Sequence, residues 1–248
     1  MSTEQINKTG SRSRGKLAAG LMAVFVLIPA AMFAAPHFGG RGYYIAGVLI
    51  ILLSMIPFFA QFERRRPEAR EMVMIAVMCG IAVASRAAFI MLPQVKPVIG
   101  MIIIAGMAFG PGGGFLTGSL TAFVSNFIFG QGLWTPWQMF AYGIAGSIAG
   151  LLVRRGIITA EKKLPVTIFS GLVIMLVTGP LLDLCTVFTM SSAVDASSVL
   201  SVMAAGIPFN AVLAVSTMAT VFILCRPMLE KLDRIKKKYG IMEAGEAS

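Results

Sequence analysis

The feature that most constrains this chain is its alternation of long apolar runs with short basic clusters. The runs are Leu17–Ala35, Tyr43–Ala60, Met72–Leu92, Val98–Gly110, Gly114–Phe129, Pro136–Val153, Pro165–Thr189 and Val199–Leu224. About 20 apolar residues cover a ~30 Å hydrocarbon core at ~1.5 Å per residue. In lipid a lone segment satisfies its own backbone only as a helix. An all-α polytopic membrane protein with eight crossings is therefore expected. The fourth and fifth runs are short and are broken at Pro111-Gly112-Gly113-Gly114, so one kinked or re-entrant unit is the alternative there.

The charges test this count independently. Of the 21 basic residues, all but Arg41, Arg86 and Lys96 fall in four groups. These are Lys8 to Lys16, Arg64 to Arg70, Arg154 to Lys163, and Arg226 to Lys238, and they occupy alternate gaps between runs. Cytoplasmic loops carry the Lys/Arg excess, so both termini are expected in the cytoplasm, in the inner membrane of a bacterial cell. Merging the two short runs would place the Arg154 group outside, which favours eight crossings. The net charge of +10 does not imply nucleic acid, because the cations flank apolar spans and form no groove-sized patch.

The division expected is a basic N-terminus (1–16), an accessory pair of spans (17–62), a cytoplasmic linker (63–71), a six-span core (72–225) and a basic tail (226–248). The first run exceeds a signal-peptide core in length and is followed by Pro36, so a retained anchor is expected. In the tail, Leu229, Leu232 and Ile235 share a helical face, and Glu230/Arg234 and Asp233/Lys237 are i,i+4 pairs. A solvated extension of the last span is expected there.

Enzymatic chemistry finds no support. Cys79, Cys185 and Cys225 are isolated in apolar runs, and His37 is the single histidine, so neither a disulfide framework nor a metal centre is expected. There is no phosphate-binding GxxxxGK[ST] loop and no HExxH. No cofactor is expected.

Polar groups submerged in lipid are costly and therefore informative. Arg86, Asn126, Gln138, Asp183 and Asn210 all fall in the outer halves of their spans or near the midplane. A charge alone in mid-bilayer costs ~2.5–3.5 kcal/mol on insertion scales, so Arg86 and Asp183 are expected to face the bundle, and each other is one candidate partner. The outer segments add Gln94 and Lys96, then Gln131, Trp134, Trp137 and Gln138, with both tryptophans close together. Residues Ser191 to Asp195 form a candidate lid. Gly179-Pro180 and Gly206-Ile207-Pro208 precede Asp183 and Asn210, where kinked helices open space for a ligand. Along the third run, Ala76, Gly80, Ala84 and Ala88 lay down a small-residue stripe, which permits close helix approach, internal or to a partner. Gly114/Gly118 and Gly146/Gly150 repeat the spacing and are expected to pack internally.

From about Glu71 to Leu224 the chain resembles the substrate-binding S component of energy-coupling factor (ECF) vitamin transporters. The stripe, the pair Gly106–Gly110 and Gly114–Gly118, the segment from Phe127 through Trp134-Thr-Pro-Trp137-Gln-Met139, and the six spans with a basic tail carry the likeness. The Trp-Thr-Pro-Trp segment is most similar to the cobalamin-type subgroup. The resemblance implies a six-helix core, here preceded by two extra helices. It implies a vitamin bound from outside, a membrane T component and two cytosolic ATPases as partners, and the Ala76–Ala88 stripe as the T-component contact. Substrate contacts are then expected from Arg86, Gln94, Lys96, Asn126, Gln131, Trp134, Trp137, Gln138, Asp183 and Asn210. The alternatives are an S component for a riboflavin-like, pyrimidine or queuosine-type substrate, or a stand-alone secondary transporter.

Overall fold

The computed structural model describes residues 42–64, 68–159, 161–190 and 194–240. The expected first span Leu17–Ala35, the segment 1–16, His37 and Arg41 lie outside the described residues, as do residues 65–67, 191–193 and 241–248. The regular structure among the described residues is all helical, with no strand. The helices are α1 (Gly42–Arg64), α2 (Ala69–Ala88), α3 (Val98–Phe129), α4 (Thr135–Arg154), α5 (Lys163–Val173), α6 (Gly179–Met190) and α7 (Ala196–Tyr239). A π-helical turn, Ile174–Thr178, joins α5 to α6. Pro180 follows it; a proline ring collides with the carbonyl four residues earlier, and the wider turn relieves that contact. Five helices are long and apolar enough to cross a membrane, counting Lys163–Met190 as one, and α1 adds the shorter apolar stretch Ile45–Phe59.

The two short apolar runs form α3, which doubles back. Gly110 has φ 76° and ψ −176°, a region essentially open to glycine alone, and Pro111 starts the next arm with its φ already helical. Residues eight apart in a straight helix are ~12 Å apart. A methyl added to Gly114, however, would lie 2.7 Å from Gly106 Cα. Arms 98–109 and 111–129 are thus a hairpin with its apex at Gly110. The first arm, at ~18 Å, is too short for a bilayer. It is tolerated because protein surrounds it: Val98, Ile99, Ile102, Ile103, Ile104 and Ala105 are all fully buried. α4 lies along both arms, with Gly146 against Gly106 and Gly114 and Gly118 against Tyr142. The glycine repeats of α3 and α4 pack on each other, as expected.

The bundle has a loop end, with residues 89–97, 130–134 and 194–195, and an apex end at Gly110. The apex end gathers Arg70, Arg154, Arg155, Lys162, Lys163 and the last turns of α7. α7 runs through the expected eighth span into the tail without a break. Its extension differs from the solvated helix expected: Leu229 and Leu232 are buried in the core and Ile235 packs beside them. Lys236 Nζ donates to the Ala108 carbonyl and lies 5.3 Å from the Phe109 ring centre, and Arg70 Nη1 donates to the Tyr239 carbonyl. A cation at the carbonyl end of an arm opposes its dipole. Lys236→Met is expected to cost about 1–2 kcal/mol and to speed amide exchange in the last three turns of α7, read by hydrogen-exchange mass spectrometry.

α1 docks through aromatics. Phe58 stacks on Phe115 (ring centres 4.2 Å apart, planes 8° apart), Phe59 meets the same ring edge-on at 5.5 Å, and Phe140 closes the group. Ile51 and Met55 continue this contact to Trp137, Cys185 and Phe188.

At the loop end, Asp195 caps α7. Its carboxylate accepts from the Ser198 amide at 2.7 Å and from the Ser198 and Ser197 hydroxyls. The Ser198 bonds, hydroxyl then amide, hold this carboxyl below its ordinary range. Its contribution is complete above the ordinary carboxyl pKa of about 4 and is lost as pH falls through the lower folded value. Acidification is therefore expected to release the first turn of α7, with the protection of residues 196–199, taken relative to the intrinsic exchange rate at each pH, falling in acid. Asp195→Asn should flatten that dependence.

Candidate functional site

Arg86 sits in the last turn of α2, only 5% exposed, between α3 and α4. Its Nη1 donates to Ser125 Oγ and, at 2.9 Å, to Asn126 Oδ1. The guanidinium lies 4.3 Å from the Phe129 ring centre and 6.0 Å from that of Tyr142. These faces provide cation–π attraction, which grows where water is excluded. Asn126 Nδ2 then donates to Thr135 Oγ1 at 3.1 Å and Gln138 Oε1 at 2.8 Å. Thr135 Oγ1 donates onward to Gln131 Oε1 at 2.9 Å, and Gln131 Nε2 ends the chain on the Phe123 carbonyl. One network therefore ties α2, both ends of the 130–134 loop and α4.

The network also sorts the expected site residues. Asn126, Thr135 and Gln131 direct their donors and acceptors to one another, so they shape the site's floor. Gln138 is held through Oε1 alone, which leaves its amide NH2 for a ligand, and Arg86 Nε is buried with no hydrogen-bond partner among the described residues. Lys96 stands 5.4 Å from the Phe129 ring centre, so it shares that ring with Arg86. Burial first, and then the Arg86 charge, push the Lys96 ammonium below the usual lysine range. Gln94 carries φ 59°, the left-handed conformation that side chains adopt rarely, and so turns the 89–97 loop back toward α3. Trp134 is 44% exposed at the loop, whereas Trp137 is buried with its ring centre 5.4 Å from that of Phe188. The two tryptophans therefore have different surroundings: one is available at the surface and one packs the wall.

Asp183 is not the partner of Arg86. It pairs across α6 and α7 with Asn210, whose Nδ2 donates to Asp183 Oδ2 at 2.9 Å. The close approach needs small neighbours. A methyl on Gly179 would lie 2.6 Å from the Asn210 amide, and one on Gly206 would meet the Asp183 carboxylate. Each glycine thus faces the polar residue of the opposite helix, which explains the spacing within Gly179-Pro180…Asp183 and Gly206-Ile-Pro208…Asn210. Among the described residues no hydrogen bond or ion pair joins this pair to the Arg86 network. Trp137 and Phe188 stand between their helices.

Ser125, Thr135, Phe129 and Tyr142 complete the Arg86 surroundings and were not singled out from sequence. Ser125 and Thr135 adjoin residues that were. The aromatic faces carry no sequence signal, since phenylalanine is common in lipid-facing positions. Ala76, Gly80, Ala84 and Ala88 lie on an exposed face of α2, with Val73, Val77 and Ile81 beside them. A methyl added to Gly80 meets nothing within 4 Å, so this stripe packs against nothing among the described residues.

No solved structure matches the chain. The sequence model of the family described as ECF-type riboflavin transporter, S component, matches residues 67–232. That stretch runs from the start of α2 to the core-docked turns of α7 and leaves α1 outside. Members of this family are transporter subunits and not enzymes, and they work with a T component and ATPases. The apolar helical bundle and the match over most of its length establish the chain as a multi-pass membrane protein of the ECF S-component family, the substrate-specific subunit of a vitamin transporter.

Proposed function

We propose that this S component captures a ring-bearing vitamin at the loop end of the bundle, from outside the cell. The observation that carries the reading is the opposition of the two ends. Arg86, Asn126, Gln138 and Lys96 gather at the loop end, while Arg70, Arg154, Arg155, Lys163 and Lys236 gather at the apex end. Cationic loops stay in the cytoplasm, which puts the apex end inside and the polar network toward the exterior. Arg86, Lys96 and Gln138 would meet polar edges of the ligand, and Trp134 and Gln94 would cover it. Asn126, Gln131 and Trp137 would hold the floor and wall, and Asp183 with Asn210 would line the α6–α7 side.

For the vitamin itself, a riboflavin-type ligand is favoured by the match over residues 67–232. The corrinoid alternative is favoured by the Trp134-Thr-Pro-Trp137-Gln-Met139 segment. Much of that segment is occupied by internal contacts, with Trp137 on Phe188 and Thr135 and Gln138 on Asn126. Riboflavin and cobalamin should be titrated separately into the purified chain, following tryptophan emission, with mass spectrometry of any co-purified compound. Saturable quenching at micromolar or lower concentration is expected for one of them. If no vitamin binds more tightly than about 10 µM, roughly 7 kcal/mol, the receptor reading fails.

The T component would dock on the Ala76–Gly80–Ala84–Ala88 face, where close van der Waals packing substitutes for the missing hydrophobic drive in lipid. Gly80→Phe is expected to leave folding and vitamin binding unchanged and to abolish co-purification with the T component and ATPases. Retained co-purification would put the contact elsewhere.

A further inference from the structure

The surroundings of Arg86 raise a question that the vitamin reading leaves open, namely what balances its charge. A buried arginine is ordinarily paired with a carboxylate. Here the partners are a neutral hydroxyl, a neutral amide oxygen and two aromatic faces. Nε is buried with no partner among the described residues. The nearest second charge, Lys96, is another cation above the same Phe129 ring. Like charges sharing a poorly solvated site repel, and no ion pair to either is found among the described residues.

The first turn of α3 adds to the same imbalance. It begins directly after Lys96, at Pro97, with no side-chain cap, and Val98, Ile99 and Gly100 are buried. A helix start with open N–H groups carries partial positive charge and suits an anion. Two cations, one with an unused donor, and an uncapped helix start therefore converge where only neutral acceptors are present.

We propose that Arg86 and Lys96 form an oxyanion subsite, so that the transported compound carries a carboxylate or phosphate. The guanidinium offers Nε to one oxygen, and Lys96 closes on the anion from the 89–97 loop. Arginine's planar fork suits such groups, and charge-assisted bonds there are stronger than neutral ones. The remainder of the ligand lies toward Trp134 and the Gln138 amide. This inference rests on the S-component reading and narrows it from vitamins in general to acidic ones.

The test uses the full chain in lipid nanodiscs and matched pairs of acid and neutral compound: flavin mononucleotide with riboflavin, nicotinate with nicotinamide, and biotin with its amide. In at least one pair the acidic member is expected to bind roughly 10- to 100-fold more tightly, and added salt should weaken it selectively. Lys96→Gln and Arg86→Gln should each weaken the acidic member more than the neutral one, and so reduce that preference. Lys96 is in a partly exposed loop, so its variant keeps the test open if Arg86→Gln does not fold. Equal or tighter binding of every neutral member overturns the anion subsite and leaves the receptor reading standing. So does a Lys96→Gln variant that weakens both members alike. Failure of every acidic member to bind overturns the anion subsite, and failure of every compound and of cobalamin as well overturns both readings.

Discussion

Gly146→Val is expected to abolish the folded protein. The position is the meeting point of three helical segments: a methyl there would overlap the Gly114 carbonyl and come within 3.0 Å of Ile102 Cγ2. Gly106 in turn faces the Gly146 carbonyl. The main obstacle is the Gly114 backbone itself, so rotamer changes cannot relieve the overlap. Ordinary overpacking costs about 1–3 kcal/mol, and a clash with a backbone that cannot move aside is expected to exceed ~3 kcal/mol. In detergent the variant should lose its monodisperse size-exclusion peak. Gly80→Val is the control, because its added methyls enter open space. A Gly146→Val protein with unchanged thermal stability would mean that the hairpin and α4 are not packed as described.

Asn126→Leu should give the second largest loss. The residue is 1% exposed, and its amide bridges Arg86 to Thr135 and Gln138. Leucine keeps the same branched skeleton of heavy atoms and leaves no cavity, so much of the loss reports hydrogen bonding. Leaving a buried guanidinium short of an acceptor is the expensive part, and a cost of about 3–5 kcal/mol is expected. The double variant Arg86→Met/Asn126→Leu removes the charge along with its acceptor. It should be more stable than the two single losses added together, by about 1–3 kcal/mol of coupling. Thermal unfolding of the four proteins measures this directly, and strict additivity would mean that Asn126 does not hold Arg86.

The two effects differ in how far sequence exposed them. The repeats Gly114/Gly118 and Gly146/Gly150 were legible as internal contacts, because a small residue every fourth position has few other uses in lipid. The reversal at Gly110 was only half legible. Pro111 and its glycines marked a break, yet the residue that turns the chain is the glycine before the proline. Arg86 and Asp183 were legible as bundle-facing from cost alone, but their partners were not. Mutual pairing was one candidate, and the fold instead gives Arg86 to α3 and Asp183 to α7. The tail was expected in solvent because its charges dominate, whereas one face of three apolar residues docks it on the core.

Sequence by itself determined the solvent, the helical class and the family. Each follows from run lengths, charge spacing and local motifs, which do not depend on which segments become neighbours. Tertiary structure alone decided that Arg86 lies among neutral acceptors beside a second cation, that Trp137 is a wall while Trp134 remains open, and that the α2 stripe has no internal partner among the described residues. Those are properties of side chains brought together from distant positions, and burial and hydrogen bonding take their value only from what is across the gap.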